Sequence, residues 1–532
     1  MVFKRRRIAW GVAAAAVIAL SITGCAGGGG SSSGAPKVIV SPIVANPPSL
    51  SPLANESTAY MLRGEFYDTL VRVKTDDLSV VPGLVESWDV STDGLTYTFH
   101  LHQGVMWHDG KPFTSADVKF NLTEAIKQYS PLATTAALIT GVDTPDDNTA
   151  VVHLSAPAGY FLAGLSNLYI SPAHIFQGTD LVNNPAWNTP VGTGPFKFES
   201  FDQGTQVTGV KNDNYWDGPV NADRIVNPII PDSNARTLAL TSGQANLLFR
   251  DGVDPTQLPT FEADPKYQVV PIAGAPEEQI MMINQRPGRP LSDIRVRQAL
   301  MHAINRDPII QRAYFGAANP APSNIPRAIG WATNQNVDYA KQYPFDLNAA
   351  ASLLDQAGYP AGPDGTRFTF TIAYDSLQQQ VAQSGQLLSS DLSKIGVKVN
   401  LVSTDFQSQI ARVWGGDHDF DIFLVQTSTE ADPSILLATV YQCNPTDIAY
   451  GNASGVCDQN VDSLFAQAAV SPDQAQRGQL FQQADAAIAD QLYATIPTVV
   501  TASPVVAAAN VTGIDAFHST TEWNWAALGV SQ

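Results

Sequence analysis

The stretch of sequence that decides the fold reads WDVSTDGLTYTFHL, residues 88–101. Within it, Tyr97, Phe99 and Leu101 alternate with polar residues, and this period of two predicts a strand with one buried face. Asp93-Gly94 separates this run from Trp88 and Val90, and this dipeptide is typical of a tight turn. The stretch therefore predicts a β-hairpin that packs against a core.

Helical and extended patterns alternate along the rest of the chain. Thr114 precedes a helical run and has Asp117 in the capping-box position. Capping residues and hydrophobic periodicity indicate the other elements. Predicted helices cover 57–70, 114–126, 293–304, 346–358, 378–395 and 472–492, and predicted strands cover 38–44, 368–374, 397–402, 420–425 and 496–500. This succession favours an α/β protein in which helices cover a sheet.

The first residues have the pattern of a signal peptide. A basic cluster at 4–7 precedes an uncharged apolar run at 8–22, which is shorter than the roughly 20 residues of a membrane-spanning helix. Ile22-Thr23-Gly24-Cys25 resembles the bacterial lipobox. We therefore expect a protein outside the cytoplasm that is anchored to the cell membrane by a lipid on Cys25. The alternative is an ordinary secreted protein with an incidental cysteine.

The composition indicates a folded, acidic protein. Of its 532 residues, 44% are hydrophobic, which is close to the globular average. The formal charge is −19, and removal of the leader would also remove four basic residues. Nucleic acid is not an expected partner, because binding it needs a basic face. The length is sufficient for two or three lobes.

Three cysteines are present. If Cys25 carries a lipid, Cys443 and Cys457 remain, and we expect them to form a disulfide outside the cell. Closing a loop of this size removes about 3 kcal/mol of unfolded-state entropy. Their spacing does not fit the CxxC motifs of metal and redox sites.

Many short motifs occur in the order in which one known family has them. They are Gly83–Trp88, Asp93–Phe99, Gly104-Val105, His108–Gly110, Pro112–Thr114, Asp117-Val118, Gly192–Phe196, Asn214–Trp216, Asp293–Leu300, Ile304–Arg306, Ala357–Tyr359 and Lys394–Val397. In these motifs the chain resembles the family-five solute-binding proteins of ABC importers, which include dipeptide-, oligopeptide- and nickel-binding proteins. The resemblance covers essentially the whole mature chain.

The resemblance implies an α/β, two-lobed, periplasmic-binding-protein-like (type II) fold with an extra subdomain inserted in the first lobe. A ligand in the cleft contacts both lobes only in the closed form, so that its binding closes the hinge. The expected domains are the signal peptide 1–24, the tether 25–36, lobe I at 37–70 and 188–275, the inserted subdomain 71–187, lobe II at 276–499 and a return to lobe I at 500–532.

The function that the resemblance implies is capture of peptides, oligopeptides in particular, and their delivery to a membrane permease. An extended peptide suits such a cleft because its main chain can pair with strand-like backbone. The expected partners are a peptide or other small solute, the ABC permease, and membrane lipid through Cys25. We expect a monomer that is not an enzyme and has no cofactor or metal.

Peptide binders of the family hold the free amine of the ligand with an acidic residue just before an acidic-Pro pair. The corresponding stretch here is TSTEADP, residues 427–433. Counting forward from Asp421 places Glu430 at this position, whereas counting back from Pro433 places Thr429 there. Phe406 matches an aromatic wall residue of dipeptide binders. The expected ligand-binding residues are Glu430, Thr429, Thr427, Phe406 and Asp432.

One departure from the family pattern concerns the carboxylate of the ligand. Dipeptide binders hold it with an Arg near the segment that reads Tyr374–Gln380 here, and this segment contains no Arg. Because a bidentate clamp is missing, strict dipeptide specificity is not expected. Longer peptides or another amine-bearing or polar solute stay open.

Some other features suggest sites but have simpler interpretations. His100 and His102 would share one face of a strand, yet two ligands make a poor metal site. His108-Asp109-Gly110 is more typical of a hydrogen-bonded turn than of an acid–base site. Gly192 and Gly194 are predicted to let the backbone turn where a β-branched residue would clash.

Competing functions also stay open. The same scaffold could bind a metal chelate, haem or a sugar, because a fold does not determine its ligand. A secreted hydrolase is the alternative from another class, but the sequence has neither an HExxH motif nor a P-loop. Presentation of a peptide to a sensor is a further alternative.

Overall fold

A computed structural model describes residues 35–54, 57–129, 132–271, 277–376, 378–416, 418–428, 430–449, 451–501 and 504–531. The expected signal peptide, Cys25 and most of the tether lie outside the described residues, and so does Thr429. Phe406 is the first residue of a helix, and only its backbone is described.

Strands occur throughout the described ranges. They are β1 (Val38–Val40), β2 (Val71–Val73), β3 (Val80–Pro82), β4 (Val85–Val90), β5 (Thr96–Leu101), β6 (Ile139–Asp146), β7 (Thr149–Leu154), β8 (Phe196–Asp202), β9 (Gln206–Lys211), β10 (Arg224–Pro228), β11 (Leu247–Phe249), β12 (Tyr267–Pro271), β13 (Glu277–Ile283), β14 (Ala318–Pro320), β15 (Phe368–Asp375), β16 (Val397–Thr404), β17 (Ile422–Ser428), β18 (Thr495–Thr501), β19 (Pro504–Ala508), β20 (Val511–Thr512) and β21 (Gly529–Val530).

The α-helices follow in the same order. They are α1 (Ser57–Phe66), α2 (Ser115–Thr123), α3 (Ala133–Leu138), α4 (Phe161–Leu165), α5 (Ala173–Phe176), α6 (Ser233–Thr241), α7 (Leu258–Ala263), α8 (Ile294–Ala303), α9 (Arg306–Pro308), α10 (Tyr339–Gln342), α11 (Leu347–Gln356), α12 (Gln379–Lys394), α13 (Phe406–Gln409), α14 (Gln459–Val470), α15 (Gln474–Gln491) and α16 (Ile514–Phe517). None of the helices in the described ranges is long and apolar enough to cross a membrane.

Four larger sheets organise these strands. The N-terminal sheet has the order β1-β10-β9-β8, and the hairpin sheet has the order β4-β5-β7-β6. The three-stranded sheet has the order β11-β19-β12, so its central strand comes from the C-terminal part of the chain. The six-stranded sheet has the order β14-β18-β13-β17-β15-β16 and contains both parallel and antiparallel pairs.

The predicted hairpin is confirmed as β4 and β5. Gly94 has φ +69°, the left-handed conformation that a tight turn requires and glycine adopts without strain. Tyr97, Phe99 and Leu101 of β5 are buried and alternate with half-buried polar residues. The hairpin therefore buries one face in the core that includes Trp107 and Phe120.

The α/β pattern of the later chain is also confirmed. Strands β15 and β16 are parallel, and α12 connects them. Asp293 and Asp346 cap α8 and α11 by accepting backbone hydrogen bonds, as their positions predicted. Strand β17 pairs with β13 and β15, and the predicted ligand-binding stretch, residues 427–433, begins at its carboxyl end.

Cys443 and Cys457 form a disulfide, with their Cα atoms 4.9 Å apart. The loop that it closes contains Asn452, whose buried amide donates to the backbone oxygen of Tyr441 at 3.2 Å and to the hydroxyl of Tyr493 at 2.9 Å. These hydrogen bonds attach the disulfide loop to the segment that precedes β18.

The first helix is shorter than predicted: it ends at Phe66 and not at residue 70. The carbonyl oxygen of Phe66 accepts a hydrogen bond from the backbone N–H of Gly194 at 3.0 Å. A contact from a segment far away in sequence therefore replaces the next helical hydrogen bond. The periodicity of residues 57–70 alone could not indicate this end.

Gly192 and Gly194 allow close packing where the chain bends, and the predicted clash of a larger side chain is confirmed. Neither has a positive φ. A Cβ on Gly192 would lie 1.8 Å from the carbonyl oxygen of Phe66, and one on Gly194 would lie 2.5 Å from its carbonyl carbon. The His108 ring holds the same segment, since its Nδ1 accepts from Gly192 N at 3.2 Å and its Nε2 lies 3.0 Å from Gly194 O. The interpretation of His108-Asp109-Gly110 as a structural turn is thus favoured.

We expect Gly192→Ala to lower the free energy of unfolding by at least about 2 kcal/mol, because the new methyl group meets backbone that cannot move away freely. Urea unfolding followed by tryptophan fluorescence would measure the change. Gly141→Ala is the matched control, since a Cβ there meets nothing within 4 Å, and its expected effect is about 0.5 kcal/mol or less. Equal midpoints for the two variants would contradict the packing role of Gly192.

Candidate functional site

A cluster of one arginine and two tyrosines lies beside α1. The Arg63 guanidinium is 3.6 Å from the centre of the Tyr60 ring, and its Nη1 donates to the Tyr129 hydroxyl at 3.1 Å. The two tyrosine hydroxyls are 2.9 Å apart. Tyr60 and Arg63 are three residues apart on the helix and therefore share one face. Because Arg63 is buried and packs on aromatic faces, it holds both tyrosines in place.

Glu430 reaches this cluster from the loop that follows β17. Its Oε2 accepts a hydrogen bond from the side-chain amide of Asn167 at 2.9 Å. Asn167 lies just after α4, in the region of the hairpin sheet. The hydrogen bond therefore joins the end of the six-stranded sheet to a part of the chain that is 263 residues away in sequence.

A cavity of about 310 Å³, space open to solvent included, lies between these groups. We call it the Glu430 cavity, and it is lined by Tyr60, Tyr129, Leu132, Asn167, Glu430, Ile435 and Leu436. Its wall combines one carboxylate, one amide and two hydroxyls with three aliphatic side chains. This is the composition of a small-molecule site, in which a few polar groups orient a ligand against apolar surface.

Charges of both signs surround the Glu430 cavity. Burial raises the pKa of Glu430, and the hydrogen bond from Asn167 together with the charges of Arg250 and Arg63 opposes this rise. The Arg250 guanidinium lies 5.5 Å from the centre of the Tyr60 ring. No ion pair among the described residues includes Glu430 or Arg250, so each can pair with a charged group of a ligand.

The backbone of Arg250 is held in an unusual conformation directly after β11. Its φ is +49°, in the left-handed region that few non-glycine residues adopt. Such backbone strain occurs preferentially at ligand-binding and active sites. Arg250 was not predicted from the sequence, where nothing distinguishes it from the other arginines.

Thr427 lies near the end of β17 and faces a second cavity, which adjoins the Glu430 cavity at Leu436. On β17 it pairs with Glu278 of β13, and both side chains line this cavity. Leu436 lines both cavities, and 40% of it is exposed. Thr427 and Glu430 therefore lie in neighbouring cavities, and direct contact of Thr427 with a ligand stays a prediction.

Asp432 has a partner inside the protein. It forms an ion pair of 2.6 Å with Arg477 of α15, and each side chain is only 4% exposed. Arg477 also donates to the carbonyl oxygen of Gly159 at 2.9 Å, which connects the loop to the region of the hairpin sheet. This arrangement gives Asp432 a positioning role in the loop that carries Glu430, and its own contact with a ligand stays a prediction.

The segment Tyr374–Gln380, which lacks the Arg of dipeptide binders, is held to the six-stranded sheet by the side-chain amide of Gln378. The side chain of Gln378 donates to the backbone oxygen of Gln426 at 3.2 Å and accepts from its N–H at 2.8 Å. This pairing fixes the start of α12 against β17. Thr429 and the side chain of Phe406 lie outside what the structure describes, so their roles stay predictions.

The histidines that could have suggested a metal site have other partners. His100 Nε2 lies 3.0 Å from the carboxylate of Asp89 on the neighbouring strand, and the His102 ring packs at 5.0 Å from that of Trp216. In the described ranges no three His, Cys, Asp or Glu side chains are grouped in a way that could hold a metal ion.

Most residues of the Glu430 cavity were missed by sequence reasoning. Tyr60 was predicted only as part of the helix at 57–70, and Arg63, Tyr129 and Asn167 were not singled out. Tyr60 and Arg63 share α1, whereas Tyr129, Asn167 and Glu430 come from three other parts of the chain, and only the fold brings them together. A buried arginine three residues after a tyrosine is too common in helices to indicate a site.

Comparison with known proteins supplies the context for this geometry. The family described as bacterial extracellular solute-binding proteins, family 5 Middle, matches residues 79–447. Heme-binding protein A of Haemophilus influenzae is 29% identical over 460 residues, which cover 82% of each chain. The dipeptide-binding protein of Escherichia coli is 28% identical over 462 residues, 81% of this chain and 83% of its own.

A solved structure extends the similarity to the fold. The periplasmic binding protein DppA of Helicobacter pylori, in complex with the peptide STSA, superposes with a TM-score of 0.73 at 27% identity. The match covers 93% of this chain and 98% of that protein. The predicted α/β, two-lobed type II fold is thereby confirmed.

Proposed function

Since the chain belongs to the bacterial extracellular solute-binding proteins of family 5, whose members deliver solutes to ABC importers, we propose that its own solute is a peptide. Oligopeptides fit better than strict dipeptides, because the segment at Tyr374–Gln380 lacks an arginine clamp. The observation that carries the proposal is Glu430, a carboxylate without an ion-pair partner among the described residues, at the wall of a half-apolar cavity. One of the similar proteins binds dipeptides, and another was solved with a peptide.

Glu430 takes the free amine of the peptide in this proposal. The Asn167 amide already occupies one carboxylate oxygen and fixes its orientation. An ammonium group is a compact donor of three hydrogen bonds, and a carboxylate in a partly desolvated wall is its preferred acceptor.

Arg250 takes a carboxylate or a backbone carbonyl of the peptide. Arg250 follows β11 and lies near the Tyr60 ring. The Arg of dipeptide binders would instead come from the segment Tyr374–Gln380, so the two arginines belong to different elements. A guanidinium without a carboxylate partner among the described residues can form two parallel hydrogen bonds with a ligand. A zwitterionic or extended polar ligand thus finds both charges within one site.

The mature protein in this proposal is a lipoprotein. Its Cys25 carries the lipid, the Gly/Ser-rich tether gives reach, and the body remains outside the cytoplasm as a monomer beside its permease. Labelling of growing cells with a clickable fatty acid would test the anchor, since Cys25→Ser should abolish the label and release the protein.

Mass spectrometry of the solutes that co-purify with the protein tests the ligand class. Thermal-shift screening of di- to hexapeptides should follow, because a ligand at 100 times its Kd stabilises the folded state by about 2.7 kcal/mol. Every bound peptide should be recovered intact, as expected of a carrier. Scattering curves with and without the best peptide should show closure.

Haem and metal chelates form the second candidate class. The similarity to heme-binding protein A is as extensive as that to the dipeptide-binding protein, so both ligands belong in the same screen. Saturable binding of haem or a nickel chelate, together with no binding of any peptide, would overturn the proposal.

A further inference from the structure

The second cavity contains the buried carboxyl group of Glu278. We call it the Glu278 cavity, and together with the adjoining open solvent its space amounts to about 320 Å³. It is lined by Glu278, Ile280, Thr427, Leu436, Leu437, Val440, Tyr441 and Thr495. Glu278 is 1% exposed, and its Oε1 has no hydrogen-bond donor within the described structure. A buried carboxyl oxygen without a donor costs free energy that a suitable ligand group would recover.

The hydroxyls around Glu278 are largely committed elsewhere. Thr495 donates to the Tyr441 hydroxyl at 2.6 Å, and Tyr441 donates to the side-chain oxygen of Asn324 at 3.3 Å. Both protons therefore point away from Glu278. Neither hydroxyl donates to Glu278 Oε1, so this oxygen can accept a hydrogen bond from a ligand.

The charged groups that act on the Glu278 cavity are both acidic, namely Glu278 itself and Asp485. Asp485 is fully buried behind Tyr441, where it accepts hydrogen bonds from the backbone and side chain of Asn324 at 3.1 Å. No described ion pair includes Glu278 or Asp485. A positive group that enters the cavity would meet the carboxyl group of Glu278, and the nearby charge of Asp485 would attract it further.

The Glu278 cavity also adjoins the proposed ligand site. Leu436 is shared by both cavities, and it is the exposed residue between them. Besides Leu436, the aliphatic side chains of Ile280, Leu437 and Val440 line the Glu278 cavity. A side chain that passes Leu436 therefore meets apolar surface first and the carboxyl group at the end.

We propose that the Glu278 cavity receives a lysine-like side chain of the peptide whose amine is held at Glu430. The aliphatic stem packs on the apolar wall, and the terminal ammonium donates to Glu278 and to the hydroxyl of Thr427. This subsite rests on the proposed function, because it needs a ligand that Glu430 has already oriented. It makes the protein selective for basic peptides.

Peptide binding by the whole chain tests the subsite. The probes are tetra-alanine and its variants with lysine or norleucine at each of the four positions, measured by isothermal titration calorimetry. Norleucine has the same stem without the ammonium. At one position, lysine should bind at least about tenfold more tightly than norleucine, the scale of a charged hydrogen bond. Glu278→Gln should reduce this ratio to about threefold or less.

Three further variants complete the experiment. Glu262→Gln removes an exposed carboxylate on α7 and should leave the ratio unchanged. Thr427→Val, at the rim of the Glu278 cavity, should lower the ratio in part and guards against misfolding of the Glu278 variant. Tyr441→Phe removes a hydroxyl that does not point at Glu278 and should lower the ratio less than Thr427→Val.

Proton release gives a second measurement. Burial, and then the charge of Asp485, raise the pKa of Glu278, so the free side chain keeps its proton to higher pH than an ordinary glutamate. An arriving ammonium favours the carboxylate and releases that proton. Titrations in two buffers of different ionisation enthalpy should show greater proton release for the lysine peptide than for the norleucine peptide.

The outcomes separate the two proposals. Binding of the alanine peptide without lysine preference at any position would overturn the subsite and leave the proposed function intact. A lysine preference that persists in Glu278→Gln would also overturn it. Failure of every peptide to bind would overturn the proposed function itself, and the subsite with it.

Discussion

Replacing Asp432 with alanine is expected to lower the free energy of unfolding by about 3–5 kcal/mol, the cost of leaving one member of a buried ion pair without its partner. Arg477 would stay buried at 4% exposure, with its Nη2 deprived of the carboxylate at 2.6 Å. Its hydrogen bonds to backbone oxygens of Ala468 and Gly159 do not compensate a full charge. Urea unfolding of both proteins at one ionic strength would measure the loss.

An exposed ion pair provides the control for Asp432. Lys398 lies 3.8 Å from Asp364, and both side chains are more than 60% exposed. Lys398→Ala should therefore change the unfolding free energy by less than about 1 kcal/mol. Asp432→Asn keeps the size of the side chain and should lie between wild type and Asp432→Ala. A loss below about 1 kcal/mol for Asp432→Ala would show that Arg477 finds another partner.

The Asp432 variants should also weaken ligand binding, although indirectly. Asp432 caps the turn after Glu430 by accepting from the backbone N–H of Ser434 at 2.9 Å. Without the ion pair, the loop loses its attachment to α15 and Glu430 loses its fixed position. The affinity of the asparagine variant should therefore fall less than that of the alanine variant.

The second large effect is expected at Glu430. Glu430→Gln should weaken the binding of peptides with a free amine by about 1.5–3 kcal/mol, the range for a hydrogen bond between charged groups. Acetylation of the peptide amine should cost the wild type a similar amount. If both changes remove the same interaction, their combination should cost little more than either alone.

Titration calorimetry of all four combinations would measure this cycle. Glu86→Gln changes an exposed carboxylate on β4 and is expected to bind like the wild type. Additive losses in the cycle would mean that the acetyl group and Glu430 act at separate places. Equal binding of free and acetylated peptides by the wild type would remove Glu430 from the role of amine acceptor.

The same contact predicts a pH dependence. The carboxylate form of Glu430 binds the ammonium, and burial raises the pKa of this group above its ordinary value. Affinity is therefore complete above that raised pKa and falls as the pH decreases through it. The loss should begin at a higher pH than an exposed glutamate would give, and Glu430→Gln should remove this dependence.

Local patterns predicted the parts of the fold that depend on neighbouring residues. The alternation of Tyr97, Phe99 and Leu101 and the turn at Gly94 are properties of a few consecutive residues, and the hairpin follows from them. The caps of α8 and α11 are equally local. The resemblance to one family supplied the two-lobed architecture, which periodicity alone could not indicate.

Long-range contacts explain what the sequence did not predict. The end of α1 depends on a hydrogen bond from Gly194, and the ion pair of Asp432 depends on a residue 45 positions later. The Glu430 cavity collects Tyr60, Tyr129 and Asn167 from three separate elements. No spacing rule connects such residues, so only the folded chain identifies them as one site.

The three-stranded sheet has a consequence for the order of folding. Its central strand β19 lies between β11 and β12, and it brings Ala508 to within hydrogen-bond distance of Gln268, 240 residues earlier. On the ribosome, β11 and β12 have nothing to pair with until almost the whole chain has been made. This sheet therefore cannot form before β19 has been made, and its contacts are among those of high sequence separation that slow folding. During synthesis, the edges of β11 and β12 that β19 later covers therefore lack this partner until the chain is nearly complete.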